Sequence, residues 1–201
     1  MPFGHIYVDA EQERVLDALD RCMAAAGFRR VEMRPELHPR RMKQIPETKL
    51  RLFWVSPRLG RWTGLFEFRY YDNETSERWG MTDEKLAACL SKDLAAPVYR
   101  MEVLDNAGFW VYSRLEGGEE KEGAAYQDTP ADRSADPAHA RYALNRIIER
   151  EGIANIGLGY EHIPGPGVRP IENVPQSPKG IEGYDRFEHR AYASEEPRPL
   201  P

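Results

Sequence analysis

The feature that most constrains this chain is an order of segments that occurs twice. Residues 5–55 read as an extended run, an amphipathic helix and two further extended runs, and residues 62–115 read the same way. Two successive strand-helix-strand-strand units predict an α+β fold with one largely antiparallel sheet. The seam between such units is a natural cleft.

In the first unit, His5 to Val8 is a short strand and Asp9 is placed to cap the helix that follows. Val15, Leu16, Leu19, Cys22, Met23 and Ala26 form one apolar stripe at helical period, and Gly27 supplies the stop. Phe28, Val31 and Met33 begin a strand. The stretch 35–48, with Pro35, Pro39 and Pro46 among basic residues, reads as a long loop. Leu50 to Val55 is the next strand, and Pro57 with Gly60 makes the turn into the second unit.

Trp62 to Tyr71 carries the strongest strand pattern. Trp62, Gly64, Phe66, Phe68 and Tyr70 share one side and are read as lying under the helices. Thr63, Leu65, Glu67, Arg69 and Tyr71 share the other. Thr82 begins a helix carrying Leu86, Ala87, Cys89, Leu90 and Leu94. Val98 to Leu104 and Phe109 to Leu115 make a hairpin about Asp105-Asn106-Ala107-Gly108, ended by Gly117-Gly118. Residues 116–135 read as an acidic, irregular stretch. Asp136-Pro137 opens a third helix, 137–151, with Tyr142, Leu144, Ile147 and Ile148 on its packing side.

These elements predict a single domain over 1–163. From residue 164 to 201 the composition shifts: eight of the chain's sixteen prolines fall there, so an extended Pro-rich tail is expected. Ile171, Val174, Ile181, Tyr184, Phe187 and Tyr192 recur along it, which suits a strap laid over the domain as well as a disordered tail.

The net charge of −5 argues against a nucleic-acid polycation. Charge is nonetheless segregated. Arg29 to Arg51 holds eight Lys/Arg against three Glu, and Glu116 to Asp136 holds seven acids against two bases. Such patches pair within a fold or between copies, so a homodimer through them, or through the tail, is an expectation. Cys22 and Cys89 are the only cysteines; each falls on the apolar side of a helix and is read as a buried, reduced thiol. With no signal-like start and no apolar run of about 20 residues, a cytoplasmic location is expected.

No Gly-x-Ser-x-Gly elbow, His-Glu-x-x-His pair or phosphate-cradling glycine loop is present, and Gly157-Leu158-Gly159 reads as a turn. No catalytic residue, metal site or cofactor is therefore assigned. The candidate ligand site is the sheet face opposite the helices. Glu67, Arg69, Tyr71, Arg100, Glu102, Trp110 and Tyr112 would mix aromatic rings with paired charges there, suiting a cationic or amphipathic ligand. The other hairpin register puts Trp110 and Tyr112 in the core, and one slip reverses the assignment. The expected function is a non-enzymatic binding module for a small molecule or protein. Two alternatives stand beside it: an enzyme using Glu67 or Glu102 as acid-base, and an inhibitor or immunity-type interaction protein.

At the level of topology, the duplicated order over residues 5–115 resembles the effector-binding domains of the gyrase-inhibitor-like class. That resemblance implies two units around a ligand cleft, often with a central Glu. Glyoxalase-type folds also repeat strand-helix-strand modules and place His and Glu on facing strands. His5 and Glu67 are the pair at comparable positions here.

Overall fold

A computed structural model of the chain describes residues 3–34, 49–70, 83–104, 109–127, 146–154 and 182–194. The elements are β1 (Phe3–Val8), α1 (Gln12–Ala25), β2 (Arg29–Val31), β3 (Lys49–Leu59) and β4 (Trp62–Tyr70). Then come α2 (Asp83–Leu94), β5 (Val98–Leu104), β6 (Phe109–Glu116) and β7 (Glu119–Gln127). A helical stretch over 146–151 is α3, and a 3-10 turn (Tyr184–Arg186) leads into β8 (Glu188–Ser194). The eight strands form one sheet in the order β2-β8-β3-β4-β1-β5-β6-β7, every neighbouring pair antiparallel.

Within it, β1, β3, β4 and β5 with α1 and α2 make a β-α-β-β-α-β unit of order β3-β4-β1-β5. This is the split arrangement in which each helical crossover spans a strand supplied by the other half. The repeated segment order does not become a repeated position in the sheet. After α2 the chain enters β5 directly beside β1, whereas after α1 it makes the three-residue edge strand β2 before returning as β3.

α1 buries Val15, Leu16, Leu19, Cys22 and Met23, the stripe its spacing predicts, and Gly27 ends it at φ +84°. Its N-cap position is Glu11, which makes no side-chain cap bond. Asp9 instead accepts hydrogen bonds from Arg58 Nη2 at 3.1 Å and Arg61 Nε at 2.6 Å, so the expected Asp9 cap is not formed. α2 buries Leu86, Ala87, Leu90 and Leu94. Both helices pack on one sheet face with Ile6, Val8, Phe53, Val55, Leu65, Val98, Leu115 and Tyr192.

The other face is also a core. Tyr7, Leu52, Trp54, Trp62, Phe66, Tyr99, Met101 and Tyr112 are buried there with Ile147 and Ile153 of the α3 segment. The Trp62 indole N–H donates to Glu151 O at 2.8 Å, fixing the end of α3 to β4.

Three further expectations change. Glu119–Gln127, read as irregular, is β7, joined to β6 through Gly117 (φ +61°) and Gly118 (φ +86°). The sequence of β7 is acidic and small-residued, so its strand identity comes from the ladder with β6 rather than from propensity. Glu188–Ser194, inside the stretch set apart as a tail, is a strand between β2 and β3, with Ala191 and Tyr192 each 1% exposed. The Pro-rich runs on either side, the 35–48 loop, the turn at 105–108, the Thr82 cap and helix positions 137–145 lie outside the described residues.

The third change concerns the cysteines. Cys22 and Cys89 form a disulfide between α1 and α2, with Cα atoms 6.1 Å apart, rather than two reduced thiols. Each apolar stripe was legible on its own helix, but the convergence of the two stripes on one sheet face is a tertiary fact. The bridge closes a separation of 67 residues. Beside it the Arg21 guanidinium grips Asp93, with Nη2 at 2.6 Å. Chain-entropy reasoning puts the stabilisation of such a loop at about 4 kcal/mol. The Cys22→Ala/Cys89→Ala double variant is expected to lose a stabilisation of that order in urea unfolding. A midpoint matching the oxidised wild type would show that the bridge contributes nothing.

Candidate functional site

The predicted ligand face is divided by the structure. Phe53 and Leu65 belong to the helix-side core, Trp54 and Phe66 to the other. Glu67 stands opposite Phe53 in register and therefore turns towards the helices, the reverse of the expected direction. Alternation along β4 was read correctly; the side assigned to each set was not. Large aromatic residues pack on both faces, so ring content could not distinguish them.

Glu67 is a structural partner of Arg51. The Arg51 guanidinium is wholly buried, and its Nε and Nη2 donate to the two Glu67 oxygens, the latter at 2.6 Å. Asp83, the first residue of α2, lies 4.0 Å from Nη2. Met23 Sδ is 3.9 Å from Nη1, and the cation lies 5.2 Å from the Phe53 ring centre. A charge removed from water this completely requires its counter-charge.

Arg100 and Glu102 alternate with Tyr99 and Met101 of the opposite core, so they too lie on the helix-side face. Arg100 Nη2 donates to Glu102 at 2.9 Å. Tyr112 is buried on the other face, as the alternative hairpin register had it, and its hydroxyl reaches Glu122 at 3.4 Å. Arg69 pairs with Arg51 in backbone register and Trp110 with Val103 and Tyr126, while Tyr71 lies outside the described residues. Glu67 and Tyr112 are thus on opposite faces, with β1 and β5 between their strands, and form no common pocket.

The structure brings together a different set. The ladders align His189 of β8, Trp54 of β3, Phe66 of β4, His5 of β1, Met101 of β5 and Tyr112 of β6 in one row across the sheet. His5 and Phe66 meet edge-to-face with centroids 5.0 Å apart, and Trp54 lies 3.7 Å from the His189 ring. Phe187, just before β8, leans on both Trp54 and Phe66, at 5.8 and 6.0 Å. Gly64 makes room for the row: a β-carbon there would fall 3.0 Å from Phe66 and 3.2 Å from Tyr7.

Tyr7, one step along β1 on the same face, is 1% exposed. Its hydroxyl makes no hydrogen bond among the described residues. Burial pushes this phenol well above its usual range and lowers the His5 imidazole to about 4. At neutral pH both His5 and the neighbouring Tyr7 are therefore uncharged. Tyr99 stands opposite Tyr7 in the neighbouring register position: Arg150 Nη2 donates to the Tyr99 hydroxyl at 2.8 Å, and that hydroxyl reaches Glu151 at 3.2 Å. No group of three or more His, Cys, Asp or Glu capable of holding a metal occurs among the described residues.

The row was invisible in the sequence because its members come from six strands. The available signal was the aromatic content of single strands, Phe53-Trp54 and Trp62 to Phe66.

Two outcomes follow from these geometries. Glu67→Gln leaves the Arg51 charge buried without its bidentate partner, and a loss of about 3–5 kcal/mol is expected. Arg51→Met/Glu67→Leu, which removes both charges, should recover most of it; equal losses in the two variants would contradict a buried-charge penalty. His5 binds its proton in the unfolded chain near the ordinary 6.5 but in the folded chain only near 4. Between those values the unfolded state holds more protons, so stability falls as pH falls. Roughly 2–3 kcal/mol is lost through this group between pH 7 and 4.5. Urea titrations of His5→Phe at both pH values should show that share of the pH dependence removed.

No protein-family model, curated protein or solved structure matches this chain.

Proposed function

We propose that the chain is a binding module for a neutral, flat, largely apolar small molecule, held against the aromatic row on the face away from α1 and α2. The observation that carries this reading is the Tyr7 hydroxyl: a buried donor, on a ring that meets His5 and Phe66 edge-on, with no hydrogen-bond partner among the described residues. Leaving such a group unsatisfied costs about 1–3 kcal/mol, and a bound acceptor removes the cost. Small-molecule sites have this composition, mostly apolar walls with a few convergent polar groups.

The chemistry of the walls narrows the ligand. His5 is neutral at physiological pH because it is buried, which disfavours a ligand that needs a formal countercharge there. Trp54 and Phe66, covered by the half-buried Phe187, would present ring faces and edges to a planar partner that displaces that ring. Phe187 and His189 are only half-buried and form the rim on the β8 side. The cationic ligand expected from Glu67 loses its support, since that carboxylate is committed to Arg51.

The Cys22–Cys89 bridge adds a statement about place. Structural disulfides persist in oxidising compartments and are rare in the reducing cytoplasm. We read the chain as functioning outside that reducing environment, in place of the cytoplasmic location expected from the reduced-thiol reading and the lack of a signal-like start or long apolar run. Among the described residues no helix is long and apolar enough to cross a membrane.

The hydrogen bond can be tested with a matched pair of probes, naphthalene and 2-acetylnaphthalene, titrated calorimetrically into the full chain. The carbonyl of the second is the acceptor offered to Tyr7. Tyr7→Phe should weaken 2-acetylnaphthalene roughly two- to twelve-fold and leave naphthalene unchanged. The unliganded variant should be at least as stable as wild type, because an unsatisfied hydroxyl has been removed. Failure of the wild type to bind either probe, or equal affinity of the variant for the acetyl compound, would refute the reading.

A further inference from the structure

The two edges of the sheet are built differently. β2 is three residues long, with Arg29 and Arg30 exposed, and a short charged edge is a poor template for another strand. β7 runs nine residues, Glu119–Gln127. Its inner side is laddered to β6 on both sides of a register shift that leaves Lys121 without a cross-strand partner, and its outer side pairs with nothing among the described residues. Residues 119–121 and 123–125 are exposed. Among the described residues, a row of backbone donors and acceptors of that length is the longer of the sheet's two open edges.

We propose that this edge pairs with the same edge of a second copy, β7 against β7, antiparallel about a two-fold axis through Gly123. The occupant is argued from charge layout. Gly123 is the midpoint of the strand, so the axis pairs all nine positions. It sets Glu119 opposite Gln127 of the second copy, Glu120 opposite Tyr126, Glu122 opposite Ala124 and Lys121 opposite Ala125. Every charge faces a neutral residue, because Glu119 to Glu122 occupy one half of the strand and uncharged residues the other. A parallel, in-register pairing would instead set each acid on its own copy, which is unfavourable. The antiparallel choice also gives an isologous, closed contact that stops at two copies. The eight-stranded sheets then join into one, and the acidic half of each β7 lies along the neutral half of its mate.

This interface is independent of the ligand reading, since β7 lies beyond β6 at the far edge from Trp54 and His189. It also differs from a dimer through the tail or through the basic and acidic patches.

The test is sedimentation equilibrium of the full chain with two substitutions at Ala124, an exposed position that faces the second copy's Glu122 in this register. Wild type should show a concentration-dependent monomer–dimer equilibrium. Ala124→Glu places carboxylates opposite one another twice by symmetry and should raise the dissociation constant roughly two- to thirty-fold. Ala124→Lys, of comparable bulk, places an opposite charge there and should lower it. Circular dichroism spectra unchanged in both would show that folding is intact. A wild type that stays monomeric up to its solubility limit overturns the proposal and leaves the edge open to an extended peptide of another protein. A dimer indifferent to both substitutions, or weakened equally by both, overturns it too, because the contact then lies elsewhere or in another register.

Discussion

β1 lies between β4 and β5 at the centre of the sheet, and its residues His5 to Val8 are all buried. A strand in that position has no solvent face. Ile6 and Val8 must meet the α1–α2 layer while His5 and Tyr7 meet the opposite core. The remaining architecture answers this requirement. One layer cannot cover both sides, so the chain returns after the α2 unit to place α3 and Phe187 on the second face. The aromatic row exists because that second core is filled by rings from strands distant in sequence. Tyr7 carries a hydroxyl into that interior, and an enclosed hydroxyl is tolerated only at a cost or with a partner.

The helix-side layer solves a different problem. It contains a fully buried guanidinium, which hydrophobic packing alone cannot accommodate. Arg51 is matched by the Glu67 carboxylate on the next strand and approached by Asp83 at the start of α2. Well-packed apolar residues of similar volume often serve stability as well as a buried pair does. A role in specificity is therefore the more natural reading of its presence. The observed register of β3 on β4 sets position 51 diagonal to position 67 on the helix-side face, and α2 brings Asp83 beside them. A slip by one residue would turn Arg51 towards the aromatic core with no carboxylate to meet it.

Local periodicity carried much of this fold into view. The stripe from Val15 to Ala26, the glycine stop at Gly27, the alternation of β4 and the β5–β6 hairpin were all legible from spacing. What was not legible depended on partners remote in sequence. Trp62 and Phe66 read as lying beneath α1 and α2 because they are the bulkiest residues of β4. The helices instead cover Leu65 and Glu67, and the rings meet α3. A Glu with its side chain only 7% exposed runs against the usual rule for acids, and nothing in the chain near Glu67 announces Arg51 as its mate. The same limit hid β7, whose Glu-Glu-Lys-Glu-Gly-Ala-Ala run has little strand propensity, and β8, which lies in a proline-rich stretch. The disulfide was hidden for a geometric reason: 67 residues separate two cysteines that only the packing of α1 on α2 brings together.

Among the described residues the two layers differ in how they are held, and this bears on where the ligand of the proposed reading would enter. α1 and α2 are joined covalently through Cys22–Cys89, flanked by the Arg21–Asp93 pair, and tied to the strands through Tyr192 to Asp20 and Thr63 to Ala10. Opening that layer means breaking a cross-link and uncovering an ion pair. The opposite layer is held by the Trp62 bond to Glu151 O, by Arg150 at the Tyr99 hydroxyl, and by Phe187 resting on Trp54 and Phe66. Phe187 is anchored on one side by the 3-10 turn, where Arg186 O accepts from Gln12 Nε2 at 2.9 Å, and on the other by β8. Withdrawing this half-buried ring uncovers two aromatic rings of the row and breaks no covalent or charged contact described for it. On the proposed binding reading, a ligand would therefore reach Tyr7 from the Phe187 side, with the helical layer as the wall behind the sheet.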